Sequence, residues 1–160
     1  MRQASYGKQI EGFEGDIKSI FKLSERQVLV YGDNGETKIL TIDNNGQASY
    51  GEEIEKFKDG IISTLRLSDR QMLVGGWDGE TRILTVNNGQ ANYGRRIEGF
   101  GDKINCLIRL SDRQVLTCGS GGETRILTIN DDGQASYGKQ IDGFENDISH
   151  TLDRDRKSVV

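Results

Sequence analysis

The sequence predicts an all-β fold built from repeats, and three observations support this prediction. A segment of the form Gln-Ala-Ser/Asn-Tyr-Gly occurs four times, beginning at Gln3, Gln47, Gln90 and Gln134. The spacings between these copies are 44, 43 and 44 residues. Turn residues recur between short apolar runs, which is the pattern of strands joined by hairpins. No stretch of ten or more residues shows the 3.6-residue apolar period of a helix, so we expect essentially no helix.

Two further blocks recur in the same order and at the same period. Leu-Ser-Asp/Glu-Arg-Gln-Val/Met-Leu begins at Leu23, Leu67 and Leu110. Gly-Glu-Thr-Lys/Arg-Ile-Leu-Thr-Ile/Val begins at Gly35, Gly79 and Gly122. Three blocks that recur together at one spacing establish internal duplication, so the chain is a repeat protein.

Each repeat unit reads as four short strands. In the first full unit they are expected at residues 17–23, 27–31, 36–42 and 47–57. The second of these runs is almost continuously apolar, which is typical of a strand covered on both faces. Gly-Asp-Asn-Gly at 32–35 and Asp-Asn-Asn-Gly at 43–46 are hairpin signals, because Gly, Asn and Asp tolerate the positive φ of tight turns.

A period near 44 residues with four strands per unit is typical of a β-propeller, whose blades stack around a central channel. A linear β-solenoid is the alternative, but its repeats are usually shorter and contain fewer hairpin turns. The predicted fold is therefore an all-β propeller of four-stranded antiparallel blades, about three and a half in the chain. The expected divisions are an orphan outer strand at 1–14, blades at 15–57, 58–100 and 101–144, and a partial blade or frayed tail at 145–160.

Each unit resembles a WD repeat. Residues 12–20 resemble the opening of that repeat, and residues 29–46 resemble its close. The signature residues differ. Phenylalanine replaces the histidine at Phe13, Phe57, Phe100 and Phe144. Leu-Thr replaces Trp-Asp at 40–41, 84–85 and 127–128. The usual side-chain network of the family therefore cannot form, and we expect packing by the phenylalanines to replace it.

The expected number of blades predicts self-association. Closed propellers have about four to eight blades, and an open stack exposes an apolar face at each end. We expect two copies of the chain to form a homodimer that closes one ring of seven or eight blades, with the orphan outer strands exchanged. The alternative is that the chain is a piece of a longer propeller.

The residue content argues against an enzyme. His150 is the only histidine, so neither a multi-histidine metal centre nor a Ser-His-Asp triad is expected, and no cofactor or metal is predicted. Cys106 and Cys118 are interpreted as buried free thiols that lie close together if their strands are adjacent. The net charge of −4 argues against nucleic acid and anionic membranes as partners. The polar N-terminus lacks a signal core, so a cytoplasmic location is expected.

A binding face is expected where the copied units differ most. The turns between second and third strands vary, and in WD-repeat proteins such turns lie on the face most used for partners. The candidate residues there are Asp33, Asn34, Trp77, Asp78 and Ser120. A recurring aspartate precedes each first strand, at Asp16, Asp59 and Asp102. These aspartates either ring the channel mouth or satisfy turn N–H groups, and Trp77 either projects as a binding anchor or folds onto its blade.

The sequence thus favours a non-enzymatic propeller scaffold that binds another copy of itself and presents a face to a protein or peptide. One alternative is a lectin-like module, in which the repeated Tyr6, Tyr50, Tyr93 and Tyr137 stack against sugars. The other is a propeller fragment that arose by duplication or design and has no dedicated ligand.

Overall fold

The computed structural model describes residues 3–55, 57 and 60–143. These residues form twelve β-strands and contain no helix, so none of them contributes a helix able to span a membrane. Four features predicted from the sequence lie outside the described residues: Asp59, Phe144, His150 and the partial blade at 145–160.

The strands form three separate four-stranded antiparallel sheets, each of which contains four strands consecutive in the chain. Blade 1 contains β1 (Ile17–Lys22), β2 (Gln27–Gly32), β3 (Thr37–Ile42) and β4 (Ala48–Tyr50). Blade 2 contains β5 (Ile61–Ser68), β6 (Gln71–Gly76), β7 (Thr81–Asn87) and β8 (Gln90–Tyr93). Blade 3 contains β9 (Ile104–Ser111), β10 (Gln114–Gly119), β11 (Thr124–Ile129) and β12 (Ala135–Tyr137). This arrangement confirms the predicted all-β fold with four-stranded blades.

The outer strand of blade 1 is shorter than the sequence predicts. We expected a strand at 47–57, but the regular ladder ends at Tyr50. Beyond it, the Gly51 N–H donates to the Ile39 carbonyl at 2.9 Å, and the Ile54 N–H donates to the Thr37 carbonyl at 2.9 Å. One extra residue lies between these two hydrogen bonds compared with β3, and this bulge interrupts the ladder.

Two apolar cores lie between the blades. The core between blades 1 and 2 includes Leu29, Tyr31 and Ile39 from blade 1, and Met72, Val74 and Leu84 from blade 2. The core between blades 2 and 3 includes Leu73 with Leu65 and Ile83 from blade 2, and Val115 and Leu127 from blade 3. Each blade is therefore held through its flat faces by its neighbours, as a propeller requires.

The two end faces of this stack have no neighbouring blade among the described residues. We call the free face of blade 1 the N-terminal end face; it includes the exposed Ile17 and Ile20. The free face of blade 3, the C-terminal end face, includes the exposed Ile108 and Leu110. Both faces carry apolar residues at the repeat positions that the internal interfaces bury.

The segment before blade 1 is exposed and forms no strand over residues 3–14. Its Tyr6 is fully exposed, and the Lys38 ammonium donates to the Gly12 carbonyl at 2.6 Å where the segment meets blade 1. The predicted pairing of this segment with another chain requires that chain to be present, so it stays a prediction.

Candidate functional site

The turns between the second and third strands lie at one edge of the blades. The loops that precede each first strand, which we call the entry loops, lie at the same edge. We call this edge the turn face. The Asp33 N–H donates to the Asp16 carbonyl at 3.2 Å in blade 1. In blade 3 the Ser120 N–H donates to the Lys103 carbonyl at 3.0 Å. The structure thus brings the predicted Asp16, Asp33 and Ser120 to the same edge of their blades.

Two of the predicted binding residues stabilise their own turns. The Oδ1 atoms of Asn34 and Asp78 accept hydrogen bonds from the N–H groups of Glu36 and Glu80, each at 3.0 Å. Asp78 also forms an ion pair with Arg96 at 3.3 Å. Burial alone would raise the pKa of Asp78, but the Glu80 N–H and the Arg96 guanidinium outweigh burial and hold this pKa below its usual value. Asp78 is therefore an ionised structural residue with its own partners.

Asp102 occupies the space that the turn side chain fills in the other blades. Blade 3 has Gly121 at the position of Asn34 and Asp78. A Cβ atom at Gly121 would lie 2.7 Å from Oδ2 of Asp102, so a larger residue here would displace this carboxylate from its present position. In blade 3 the acidic group at the turn therefore comes from the entry loop, a substitution that the sequence pattern did not reveal.

The repeated glutamates at the start of each third strand are more important than the sequence suggested. A glutamate followed two residues later by lysine or arginine, as at Glu36, Glu80 and Glu123, is typical of solvated surface ion pairs, but Glu36 is 4% exposed and Glu80 is 2% exposed. The Oε1 atom of Glu36 accepts the Gly15 N–H at 3.0 Å, and that of Glu123 accepts the Gly101 N–H at 3.0 Å. These carboxylates attach the entry loop to the third strand, which corrects the surface interpretation.

The ionisation of Glu36 follows from these partners. Burial alone would raise the pKa of Glu36. The Gly15 and Glu14 N–H groups and the Lys38 ammonium outweigh burial, so this pKa lies below its usual value. All three units contain Gly-Glu-Thr at this position, so the glutamate was visible as a repeated residue. The repetition did not show that N–H groups of the entry loop point at its carboxylate.

Aromatic pairs take the place of the absent histidine and tryptophan. The ring centroids of Phe13 and Tyr50 lie 5.6 Å apart, those of Phe57 and Tyr93 lie 5.5 Å apart, and those of Phe100 and Tyr137 lie 5.3 Å apart. Such tilted ring pairs add about 0.5–1.5 kcal/mol each to the stability from burial. The expected packing by the phenylalanines is thus present, with a tyrosine of the outer strand as its partner.

These tyrosines also join neighbouring blades. The Tyr93 hydroxyl lies 3.2 Å from Thr37 Oγ1 of blade 1, and the Tyr137 hydroxyl lies 2.8 Å from Thr81 Oγ1 of blade 2. Burial raises the pKa of Tyr93 to about 12. The rings of Tyr93 and Tyr137 pack on phenylalanine and bond across an interface, so these two are not free to stack on sugars, whereas Tyr6 is fully exposed.

Trp77 is the most prominent side chain of the turn face. It is 49% exposed, and the Lys103 ammonium lies 4.1 Å from its ring centroid. Lys103 belongs to the entry loop of blade 3, so the contact crosses the boundary between two blades. Trp77 is therefore half-exposed, with one ring face covered by the Lys103 ammonium.

Two grooves of similar shape but different charge lie between the outer strands, and sequence reasoning did not anticipate them. The first, of about 470 Å³, lies between blades 1 and 2 and includes Glu52 and Glu53. The second, of about 550 Å³, lies between blades 2 and 3 and includes Arg95 and Arg96 at the equivalent repeat positions. No three His, Cys, Asp or Glu side chains converge to hold a metal ion within the described part of the chain.

Three stacked four-stranded antiparallel blades define the chain as a β-propeller protein. No protein-family model matches the sequence, and no curated protein matches it. Solved structures do match. One is a functionally unknown protein from Desulfotomaculum acetoxidans, with a TM-score of 0.57 and 14% identity over 71% of this chain and 38% of that chain.

The N-terminal domain of Nup159 matches with a TM-score of 0.51 and 11% identity, over 81% of this chain and 38% of that one. A complex of S. cerevisiae Dbp5 with Nup159, Gle1, IP6 and ADP matches with a TM-score of 0.50, again at 11% identity over 81% and 38% of the two chains. The chain spans 38% of the length of each of these solved chains. At such low identity the likeness shows the propeller fold and nothing finer.

Proposed function

We propose that the chain is a non-enzymatic protein-interaction scaffold that pairs with a second copy to close one ring of seven or eight blades. The observation that carries this proposal is the pair of apolar end faces, which repeat the residues of the buried interfaces. Ile17 is 52% exposed, whereas its equivalents Ile61 and Ile104 are 1% and 0% exposed. Exposed apolar surface of this kind typically marks an interface.

The internal interfaces show how one blade face recognises the next. The Tyr31 hydroxyl of blade 1 lies 3.1 Å from Thr64 Oγ1 of blade 2. The Arg66 guanidinium lies 3.9 Å from the centroid of the Phe21 ring and donates to the Lys22 carbonyl. Each blade thus presents different faces to its two neighbours, so the N-terminal end face of one copy complements the C-terminal side of another. The exposed segment 3–14 would supply the outer strand at each of the two junctions.

The turn face is the surface we propose for a protein or peptide partner. Trp77 offers an exposed aromatic ring of the type that is enriched among binding hot spots. The Lys103 ammonium lies over its ring, and the exposed Asp16 and Asp33 lie at the same edge of blade 1. The solved complex in which Dbp5 is bound to Nup159 supports a partner-binding role for propellers of this kind.

Light scattering on the full chain at micromolar concentration tests closure. We expect a mass twice that of the chain. Ile20→Asp places a charge on the N-terminal end face and Ile108→Asp places one on the C-terminal end face, and both positions are exposed in the single chain. Each variant alone should be monomeric and folded. Asn44→Asp, in an exposed turn away from both end faces, is the matched control and should remain dimeric.

Mixing the two variants identifies the arrangement. A head-to-tail ring leaves one intact junction when Ile20→Asp meets Ile108→Asp, so the mixture should form a dimer that neither variant forms alone. A stably folded wild-type monomer would overturn closure. For the turn face, Trp77→Ala should remove the binding of any partner that wild type retains, whereas Asn44→Asp should bind it normally.

A further inference from the structure

We propose that Cys106 and Cys118 form an oxidation site, in which a low-molecular-weight disulfide converts the two thiols to one disulfide within blade 3. The site lies inside a single blade, so it does not depend on ring closure.

The strand register places the two cysteines opposite each other. In the antiparallel pair of β9 and β10, Cys118 is the direct partner of Cys106. Directly opposed residues have Cβ atoms about 4.5–5.5 Å apart, and a disulfide needs about 3.5–4.5 Å, so a small closing movement is sufficient. The side chain of Cys118 is also hydrogen-bonded to that of Cys106, which shows that both sulfurs point to the same side of the sheet.

Only blade 3 has this pair. The equivalent opposed residues are Ser19 and Tyr31 in blade 1, and Ser63 and Gly75 in blade 2. In blade 3 both of these positions are therefore cysteine, whereas neither is cysteine in blade 1 or blade 2. Packing of the interface alone does not require this, since serine serves at the first position in both other blades.

The pair is reachable from the C-terminal end face. A Cβ atom at Gly75, the equivalent of Cys118, would lie 2.8 Å from Ile104 of the following blade. Cys118 therefore points to the side where a following blade would stand, next to the exposed Ile108 and Leu110. Cys106 is half-buried and Cys118 is only 6% exposed, so Cys106 is the thiol that meets a reagent first.

The reaction is an ordinary thiol–disulfide exchange. The Cys106 thiolate attacks one sulfur of oxidised glutathione, which forms a mixed disulfide and releases one glutathione thiolate. Cys118 then gives its proton to water, and its thiolate attacks the Cys106 sulfur and displaces the second glutathione thiolate. The protein loses two electrons and two protons, and one oxidised glutathione becomes two reduced molecules. In the reduced pair the hydrogen bond to Cys106 and burial both raise the pKa of Cys118. Burial persists in the mixed disulfide, so the second step should accelerate as the pH rises.

Intact mass after incubation with oxidised glutathione tests the site. In the monomeric Ile20→Asp background, in which the C-terminal end face is open, the chain should lose two hydrogens and both reactive thiols, and it should retain no glutathione. Cys118→Ser should stop at one glutathione on Cys106, because no second thiol is present to displace it. Cys106→Ser should react far more slowly than Cys118→Ser, because only the buried thiol is left.

Two results would overturn the proposal: a wild-type product that carries glutathione on both cysteines, or a disulfide that links two chains. Unchanged thiols in the folded Ile20→Asp chain, under conditions that oxidise the same chain unfolded in urea, would also overturn it. The Ile20→Asp variant separates this outcome from a failure of ring closure. It keeps the C-terminal end face open and the cysteine pair intact, so it should form the disulfide whether or not wild type dimerises.

Discussion

The first strands of the three blades carry the same isoleucine but differ completely in its burial. Ile61 and Ile104, at the entrances of blades 2 and 3, are 1% and 0% exposed, whereas Ile17 of blade 1 is 52% exposed. Their local sequences and strand registers are alike, with an irregularity at the same point of each first strand. The difference comes from the neighbouring blade: within residues 3–55, 57 and 60–143, blades 2 and 3 each have a preceding blade, and blade 1 has none. In this fold burial therefore depends on the adjoining repeat as much as on the residue itself.

The largest effect is expected at the phenylalanine that lies between blades 1 and 2. Phe57 is 1% exposed and packs in that core, whereas Phe13 at the equivalent position is only half-buried. Phe57→Ala should lower the free energy of unfolding by about 3–5 kcal/mol. Phe13→Ala in the monomeric Ile108→Asp background should cost clearly less, as measured by urea denaturation. Equal losses in that background would contradict a free N-terminal end face.

The isoleucine comparison gives the next largest effect. Ile61→Ala should destabilise by about 2–5 kcal/mol, since it leaves a cavity in a packed core. Ile17→Ala in the monomeric Ile108→Asp background should change stability by no more than about 0.5 kcal/mol, as exposed substitutions do. Chemical denaturation at low concentration measures both. A loss of several kcal/mol at Ile17 in that background would contradict the free end face.

Two turn glycines allow the cost of a close contact to be compared with the cost of backbone strain alone. Gly79 and Gly133 both have φ near +80°. A Cβ atom at Gly79 would lie 2.1 Å from the Phe100 carbonyl, whereas one at Gly133 would have nothing within 4 Å. Gly133→Ala should cost about 1 kcal/mol, and Gly79→Ala should cost roughly 2 kcal/mol or more, because its turn must also move away from blade 3. Similar melting temperatures for the two variants would argue against this close approach.

A smaller effect is expected from the hydroxyl that joins blades 1 and 2. Tyr93→Phe removes the hydrogen bond to Thr37 and keeps the ring, so it should cost about 0.5–1.5 kcal/mol. Tyr50→Phe in the monomeric Ile108→Asp background is the matched control, since no blade among the described residues faces Tyr50, and its effect on thermal stability should be close to zero. A larger loss for Tyr50→Phe than for Tyr93→Phe would reverse the comparison.

The smallest effect concerns pH. The pKa of Glu36 is lower in the folded chain than its ordinary value of 4.5, so the folded state favours the carboxylate. Its contribution to stability is present above about pH 4.5 and is lost as the pH falls through the folded pKa. Denaturation midpoints between pH 3 and 6 should therefore fall less steeply for Glu36→Gln than for wild type. An unchanged slope would show that Glu36 does not contribute to acid sensitivity.

The sequence predicted the blades and their strands, because these features repeat along the chain. It missed contacts between side chains and loops that are distant in the sequence. The period of about 44 residues gave the blades, and the apolar runs gave the strands, because strand pairing within a blade is local in the chain. The burial of Glu36 was missed because its donors lie about twenty residues earlier, in a loop whose N–H direction no pattern records. The role of Asp102 was missed for a similar reason, since it depends on the space left by Gly121.

The tyrosine and arginine contacts between blades link each repeat only to its immediate neighbours. A stack coupled in this way behaves as a one-dimensional chain of units, in which each unit is stabilised by the units on either side. In the part of the chain that the structure describes, blade 2 has a neighbour on both sides, and blades 1 and 3 have one each. Amide hydrogen exchange should accordingly be slowest in β6 and β7 and faster in the flanking sheets, so opening begins at the ends of the stack and the middle blade is the last to be lost.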